Sequence, residues 1–278
     1  MTKRVSAHGG HSGEFCTHAK DSLADIVAEY FRQGFDWIGL SEHMPPLSDD
    51  FRYDDERDAG QSAEFLQNRF DNYFRTARQL QSEYAKKLKI FVGFETETYT
   101  GASQEIARLK KKYSPDFVVG SLHHVNDLEI DFSAEKYARA VTQLGGIENL
   151  YCRYFDQQFE MISLTKPEIV GHLDLIRIFD PNYTTTLALP SVWERIERNL
   201  AAIKELGLSL DLNLAGIKKG RELYPSEPIL KRAIELGIYL TPGDDSHSVS
   251  TVGQYYDQAM KSLLELGASM EWKCPGIL

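Results

Sequence analysis

Cysteine is scarce in this 278-residue chain: Cys16, Cys152 and Cys274 are odd in number and far apart. Such a set builds no disulfide framework and suits a reducing, cytoplasmic setting. Long apolar runs are missing too. None approaches the roughly 18 residues that a membrane-spanning helix requires. The opening Met1-Thr2-Lys3-Arg4-Val5-Ser6 has no apolar core after its basic residues, so no secretory signal is expected. Positive charge is in deficit, with 31 Lys and Arg against 41 Asp and Glu and a net charge of -10. That balance argues against nucleic acid or a membrane surface as partner. It leaves an anionic small molecule open, because bound divalent cations reverse the sign locally. Repeats, linkers and low-complexity tracts are also absent, and a single domain over residues 1–278 is expected.

What the chain does have is histidine in telling places. His8-Gly9-Gly10-His11-Ser12-Gly13-Glu14-Phe15-Cys16-Thr17-His18 sets three imidazoles within eleven residues. Neutral imidazole is the commonest protein ligand for zinc, manganese and iron, and adjacent glycines let the backbone bend close to a bound group. The other five histidines, His43, His123, His124, His172 and His247, each follow a short apolar or β-branched run. Examples are Asp36-Trp37-Ile38-Gly39-Leu40 before His43 and Phe117-Val118-Val119-Gly120-Ser121-Leu122 before His123. Scattered core histidines would not all terminate strands.

Strand patterns cover residues 4–7, 37–40, 89–94, 117–122, 169–173, 208–212 and 238–241. Helical periodicity lies between them. One helix opens at an N-cap, Ser22, and stops at Gly34. Others cover 65–87, 191–206, 226–236 and 252–266, the last three ending at Gly207, Gly237 and Gly267. Strand, helix and glycine stop in alternation is the form of parallel α/β units. Seven strands with six or more helices predict a closed or nearly closed parallel barrel, with an open doubly wound sheet as the alternative. In both, functional residues collect beyond the carboxyl ends of the strands. Residues 49–60, acidic and aromatic after Pro45-Pro46, are expected to loop over the barrel mouth.

Ser41-Glu42-His43, Gly93-Phe94-Glu95, Gly120-Ser121-Leu122-His123-His124, Gly171-His172-Leu173-Asp174 and Gly243-Asp244-Asp245-Ser246-His247 follow the histidine-rich start in order. The ordered set resembles the polymerase-and-histidinol-phosphatase (PHP) superfamily, and within it the histidinol-phosphate phosphatases of histidine biosynthesis. The resemblance implies a distorted seven-stranded (β/α)7 parallel barrel with a trinuclear metal centre at the C-terminal ends of the strands. It also implies hydrolysis of a phosphate ester. Carried over position by position, it makes His8, His11, His18, His43, Glu95, His123, His172, Asp245 and His247 the ligands of three divalent ions. Imidazole mixed with carboxylate suits zinc, manganese or iron. Glu95, Asp245 and His247 are also the expected catalytic residues.

Asp245 and His247 stand two apart, so extended backbone would point both the same way, with Asp244 as the runner-up carboxylate. Glu97 stands in the same relation to Glu95, as a supporting group or spare ligand. The family opens with His-x-His, whereas this chain has His8-Gly9-Gly10-His11. Residues three apart on a strand face opposite ways, so the glycine pair must bend if both imidazoles are to bind.

Metals roughly 3.5–4 Å apart can generate a bridging hydroxide and clamp a phosphoryl group for in-line attack. That hydroxide is the expected nucleophile, with no phosphoenzyme, and Ser12 and Cys16 are read as turn and packing residues. Phosphate also favours cationic donors. Arg177, Lys218 and the adjacent Lys219 are the candidates, with His124 as a further substrate contact. The amino-alcohol end of the substrate would meet Arg52, Tyr53 or Glu56. The leading expectation is cleavage of L-histidinol phosphate to L-histidinol and phosphate. A related phosphoesterase acting on nucleotides or another small ester is the alternative, and a non-catalytic metal-binding accessory domain the third reading.

Overall fold

The computed structural model describes residues 3–218 and 222–275. Its strands are β1 (Val5–Ser6), β2 (Trp37–Leu40), β3 (Lys89–Glu95), β4 (Phe117–Gly120), β5 (His124–Val125), β6 (Leu128–Glu129), β7 (Ile169–Val170), β8 (Ser209–Asn213) and β9 (Tyr239–Gly243). Seven of them pair in parallel in the order β1-β2-β3-β4-β7-β8-β9, while β5 and β6 form a small antiparallel hairpin. The Ala7 amide donates to the Pro242 carbonyl at 2.8 Å just beyond β1, bringing the two edges together. The result is the nearly closed parallel barrel, not the open sheet.

Alternation along the strands sorts the side chains. Val5, Ala7, Trp37, Phe91, Phe117, Val119 and Ile169 form one buried cluster inside the barrel. The intervening residues, among them Ile38, Leu40, Ile90, Val92, Phe94 and Val118, pack outward against helices. Phe117 takes the space left by Gly39 and Gly93, since a Cβ at either position would strike its ring.

The helix Leu23–Arg32 starts where predicted, with Ser22 Oγ accepting from the Asp25 amide at 3.1 Å. Gly34, Gly207, Gly237 and Gly267 all adopt positive φ where the chain leaves a helix. The helix expected at 65–87 is Ala63–Tyr84, capped by Ser62, and that expected at 252–266 begins only at Tyr256. Three further helices, Ala102–Tyr113, Ala134–Gln143 and Ile147–Thr165, complete the outer layer. Three strands are shorter than predicted: β1 is only Val5–Ser6, and β4 ends at Gly120 and β7 at Val170. The last two leave the sheet early, and the released segments carry His123 and His172. Residues 49–60 are not a plain loop but two helical turns, Asp49–Phe51 and Asp54–Asp58.

Candidate metal centre

The histidine-rich start crosses the barrel mouth. Gly9 and Gly10 have φ of +148° and +77°, a conformation that side chains resist. Their surroundings are closed as well, because a Cβ on Gly10 would lie 2.6 Å from Leu40 Cδ2. This double bend brings His8 and His11 to one side, with ring centroids 6.0 Å apart. The wider spacing is thereby absorbed. His8 Nε2 lies 3.1 Å from Glu95 Oε2, and His11 Nε2 lies 3.8 Å from the same oxygen and 3.5 Å from Asp245 Oδ1.

Glu95, buried at the end of β3, is the hub. Its Oε2 also faces His43 Nδ1 at 3.3 Å. Its Oε1 faces His172 Nε2 at 2.9 Å and His123 Nε2 at 3.4 Å. Asp245 and His247 close the ring, though not on extended backbone: Asp245 has φ +48°. The two converge as His247 Nδ1 turns back onto the Asp245 carbonyl at 2.9 Å, and a ring nitrogen of His247 gathers with His11 and Asp245. The His11 and His247 rings stack at 4.3 Å, and His18 lies 5.5 Å from His43 and 5.2 Å from His247. Asp244 points away. It accepts from Tyr30 Oη at 2.6 Å and from the Gly253 amide at 2.7 Å, and burial lifts its pKa to about 6.

Behind the imidazoles stand carboxylates. His8 Nδ1 meets Asp211 Oδ2 at 2.8 Å, His11 Nδ1 meets Glu42 Oε1 at 3.1 Å, and His123 Nδ1 meets Glu97 Oε2 at 2.9 Å. His18 Nδ1 approaches Asp55 Oδ2 at 3.5 Å. An acid on one ring nitrogen fixes the imidazole and leaves the other for a metal. The opposite nitrogens of His8 and His11 are buried with no hydrogen-bond partner, as that arrangement requires. Within this set Glu95 with His8 and His11, Asp245 with His11 and His247, and Glu95 with His43 and His123 form compact donor groups. The residues fit divalent cations.

The electrostatics follow from the packing. Burial disfavours charge on His8, yet Glu95, Asp211 and Asp245 outweigh it and hold its pKa well above the usual value. Burial likewise opposes charge on Glu42, but His11 and His43 draw its pKa down to about 2. His247 goes the other way, to about 3, through burial and the neighbouring His11. Glu95 and Asp245 stay ionised because their imidazole neighbours overcome the cost of burial.

An open cavity of about 420 Å³ adjoins the cluster, lined by Glu95, His123, His172 and Asp245 and by Tyr53, Asp131 and Phe132. Tyr53, carried by the 49–60 segment, donates through Oη to Glu97 at 2.9 Å. The other expected substrate contacts lie differently. Arg177 is fully buried, with Nε on Asp174 Oδ2 at 3.0 Å and Nη2 on the Leu223 carbonyl at 2.6 Å. It sits in the helical turn Leu175–Phe179, three residues after Asp174, and that turn aims it at protein and away from the cavity. His124 is also buried and does not line the cavity; its Nδ1 lies 3.6 Å behind Glu97. Arg52 is held by the Asp49 and Gln61 carbonyls, and Glu56 caps the Tyr53 amide at 3.0 Å. The backbone of Lys218 ends a short helix, Ala215–Lys218, while its side chain and all of Lys219 lie outside the described residues.

Sequence reasoning missed Asp211, Glu42 as a support, and Asn213, whose Nδ2 joins Asp211 to Asp245 at 3.1 and 3.2 Å. Asp211 and Asn213 alternate on β8, and that two-residue period ending a strand was the available signal. Asp131 and Phe132 had none, since they lie in irregular chain.

Comparison with known proteins is consistent with this geometry. The PHP domain family matches residues 9–215. A protein of Schizosaccharomyces pombe named "Probable histidinol-phosphatase" is 35% identical over 268 residues, covering 95% of this chain and 87% of that protein. The hisK crystal structure from Listeria monocytogenes superposes with a TM-score of 0.81 at 29% identity, covering 92% of this chain and 99% of its own. A Lactococcus lactis histidinol phosphate phosphatase, solved with zinc, L-histidinol and phosphate, shares the fold with a TM-score of 0.72 at 23% identity. That match covers 96% of this chain and 95% of the other.

Proposed function

The chain belongs to the PHP domain family, and on that premise we propose that it is a metal-dependent phosphomonoesterase converting L-histidinol phosphate to L-histidinol and inorganic phosphate. The relative that shares 35% of its residues over nearly the whole chain carries the name of that activity. The observation that carries the chemistry is Glu95, one buried carboxylate within 3.8 Å of ring nitrogens from His8, His11, His43, His123 and His172. Ring nitrogens of His8, His11 and His43 in this set are buried with no hydrogen-bond partner, which is costly unless cations occupy them.

We assign three divalent ions, of zinc, manganese or iron, to His8, His11, His18, His43, Glu95, His123, His172, Asp245 and His247. Bound there, such ions would supply a water of lowered pKa and positive charge for the phosphoryl oxygens. The protein's own part is positioning. Asp211, Glu42, Glu97 and Asp55 orient the imidazoles, and Asn213 holds Asp245 against Asp211. Tyr53, Asp131 and Phe132 frame the space left for the amino-alcohol end of the substrate. His124 supports Glu97, and Lys218 is the cation we assign to the phosphate. The whole chain acts as one domain, because Asp245 and His247 lie beyond the matched segment yet stand beside His11. Among the described residues no helix is long and apolar enough to cross a membrane, and the three cysteines are free. We place the reaction in the cytoplasm.

A panel of phosphate monoesters tests the assignment. L-histidinol phosphate should rank among the best few by kcat/KM, with activity lost to a chelator and restored by zinc or manganese. A preference for nucleotides would overturn the substrate, and chelator-insensitive turnover the metal dependence. Asp245→Ala should cost about 10²–10³ in kcat, the several kcal/mol that a metal site supplies, while far-UV circular dichroism stays unchanged.

A further inference from the structure

One sulfur lies among the imidazoles. Cys16 is 4% exposed, in the turn that carries the chain from His11 to His18. Its amide donates to the Ser12 carbonyl at 2.8 Å, which fixes the turn. The Cys16 sulfur and one ring nitrogen each from His18, His43 and His247 all lie within 4.8 Å of one another. Among the described residues, every other compact donor group at the centre contains a carboxylate; this one contains none. His43 Nε2 is buried without a hydrogen bond, and His247 has its Nδ1 committed to the Asp245 carbonyl. Three nitrogens and a sulfur are the complement of a closed tetrahedral site.

We propose that Cys16 is the fourth ligand of a third cation held with His18, His43 and His247. The centre then has one nitrogen–sulfur position beside two nitrogen–oxygen positions. On binding, the thiol gives its proton to solvent as the sulfur–metal bond forms, with no change of oxidation state. Thiolate selects zinc, cobalt or cadmium over manganese and magnesium, so the third position takes a softer cation than its neighbours demand. A packing role for Cys16 would place no such limit on the metal. The proposal rests on the metal-centre reading and is independent of which phosphate ester is cleaved.

The test uses the full chain stripped by a chelator and titrated with cobalt(II) alone. Wild-type protein should develop a near-ultraviolet thiolate-to-cobalt charge-transfer band together with visible d–d bands. Cys16→Ser should keep the d–d bands, lose the charge-transfer band and bind its weakest zinc equivalent at least about tenfold less tightly, since even groups that only orient ligands are worth 10–100-fold. Zinc should also slow alkylation of Cys16 by iodoacetamide, read by peptide mass, at least tenfold relative to Cys152 and Cys274. Visible bands without a charge-transfer band would overturn thiolate ligation, whatever the alkylation shows. No cobalt spectrum at all would overturn the metal centre itself. Both wild-type readings stand even if Cys16→Ser fails to fold.

Discussion

His8 Nδ1 and Asp211 Oδ2 meet at 2.8 Å, joining the first and sixth strands of the barrel inside its mouth. Both groups are fully buried, and Asp211 also accepts from the Asn213 amide at 3.1 Å. The carboxylate therefore holds His8 in one orientation with Nε2 towards Glu95. Asp211→Asn keeps the volume but weakens that hold, and it should lower metal affinity by about 10–100-fold. Competition with a chromophoric chelator measures the loss. Wild-type affinity in the variant would show that the pair serves the fold and not the metal.

The bend at Gly9-Gly10 makes a separate prediction. Gly10→Ala forces a Cβ onto positive φ and into Leu40 Cδ2, at 2.6 Å before relaxation. Destabilisation of about 1–3 kcal/mol is expected, together with the loss of His11 from the cluster. Urea unfolding and metal stoichiometry should change together. An unaltered midpoint would mean that the turn is not needed for the site.

Much of this arrangement was legible because periodicity and glycine carry local rules. Ser22, Gly34, Gly207 and Gly237 stop or start helices through capping and positive φ, which depend on near neighbours alone. The candidate ligands could be collected because most stand at or just beyond a strand end, and strand ends meet at one mouth. Arg177 could not be placed. Its direction depends on a helical turn that pairs it with Asp174 and lays it 4.2 Å from the Tyr224 ring, both tertiary facts. The helix Ile147–Thr165 escaped notice because its buried face is written in Tyr151, Tyr154 and Gln158 as well as in aliphatics. Asp245 reaches the cluster by a left-handed turn where extended backbone was expected, so its place beside His11 and His247 agrees with the sequence reading while the backbone geometry behind it does not.

Arg177 offers a contrast between two roles. A phosphate ligand, once removed, would raise KM and spare stability. The buried ion pair with Asp174 predicts the reverse. Arg177→Ala leaves Asp174 uncompensated and frees the Leu223 carbonyl, at a cost of about 3–5 kcal/mol. Thermal unfolding should fall by many degrees, while KM at a temperature where the variant stays folded changes little. A raised KM with wild-type stability would return Arg177 to the substrate.

Protonation links the site to pH. In the metal-free protein His8, His43 and His123 have pKa values above the ordinary one: burial opposes their charge, but Glu95, with Asp211 at His8 and Glu97 at the other two, more than offsets it. Their protonated forms stabilise the metal-free fold below the ordinary imidazole pKa, and that contribution is lost as pH rises through the raised values. A cation binds only the neutral ring, so binding near pH 7 must expel protons. His247, lowered to about 3, is already neutral and supplies none, and Glu95 and Asp245 are already ionised. Metal affinity should therefore increase with pH through the raised imidazole values and level off beyond them. Calorimetric titration with zinc at pH 7 in buffers of different protonation enthalpy reads the proton count directly. Since Cys16 would give up one proton of its own, heats that report no more than one proton would mean that these imidazoles are neutral before the metal arrives, and that the carboxylates around them do not set their charge.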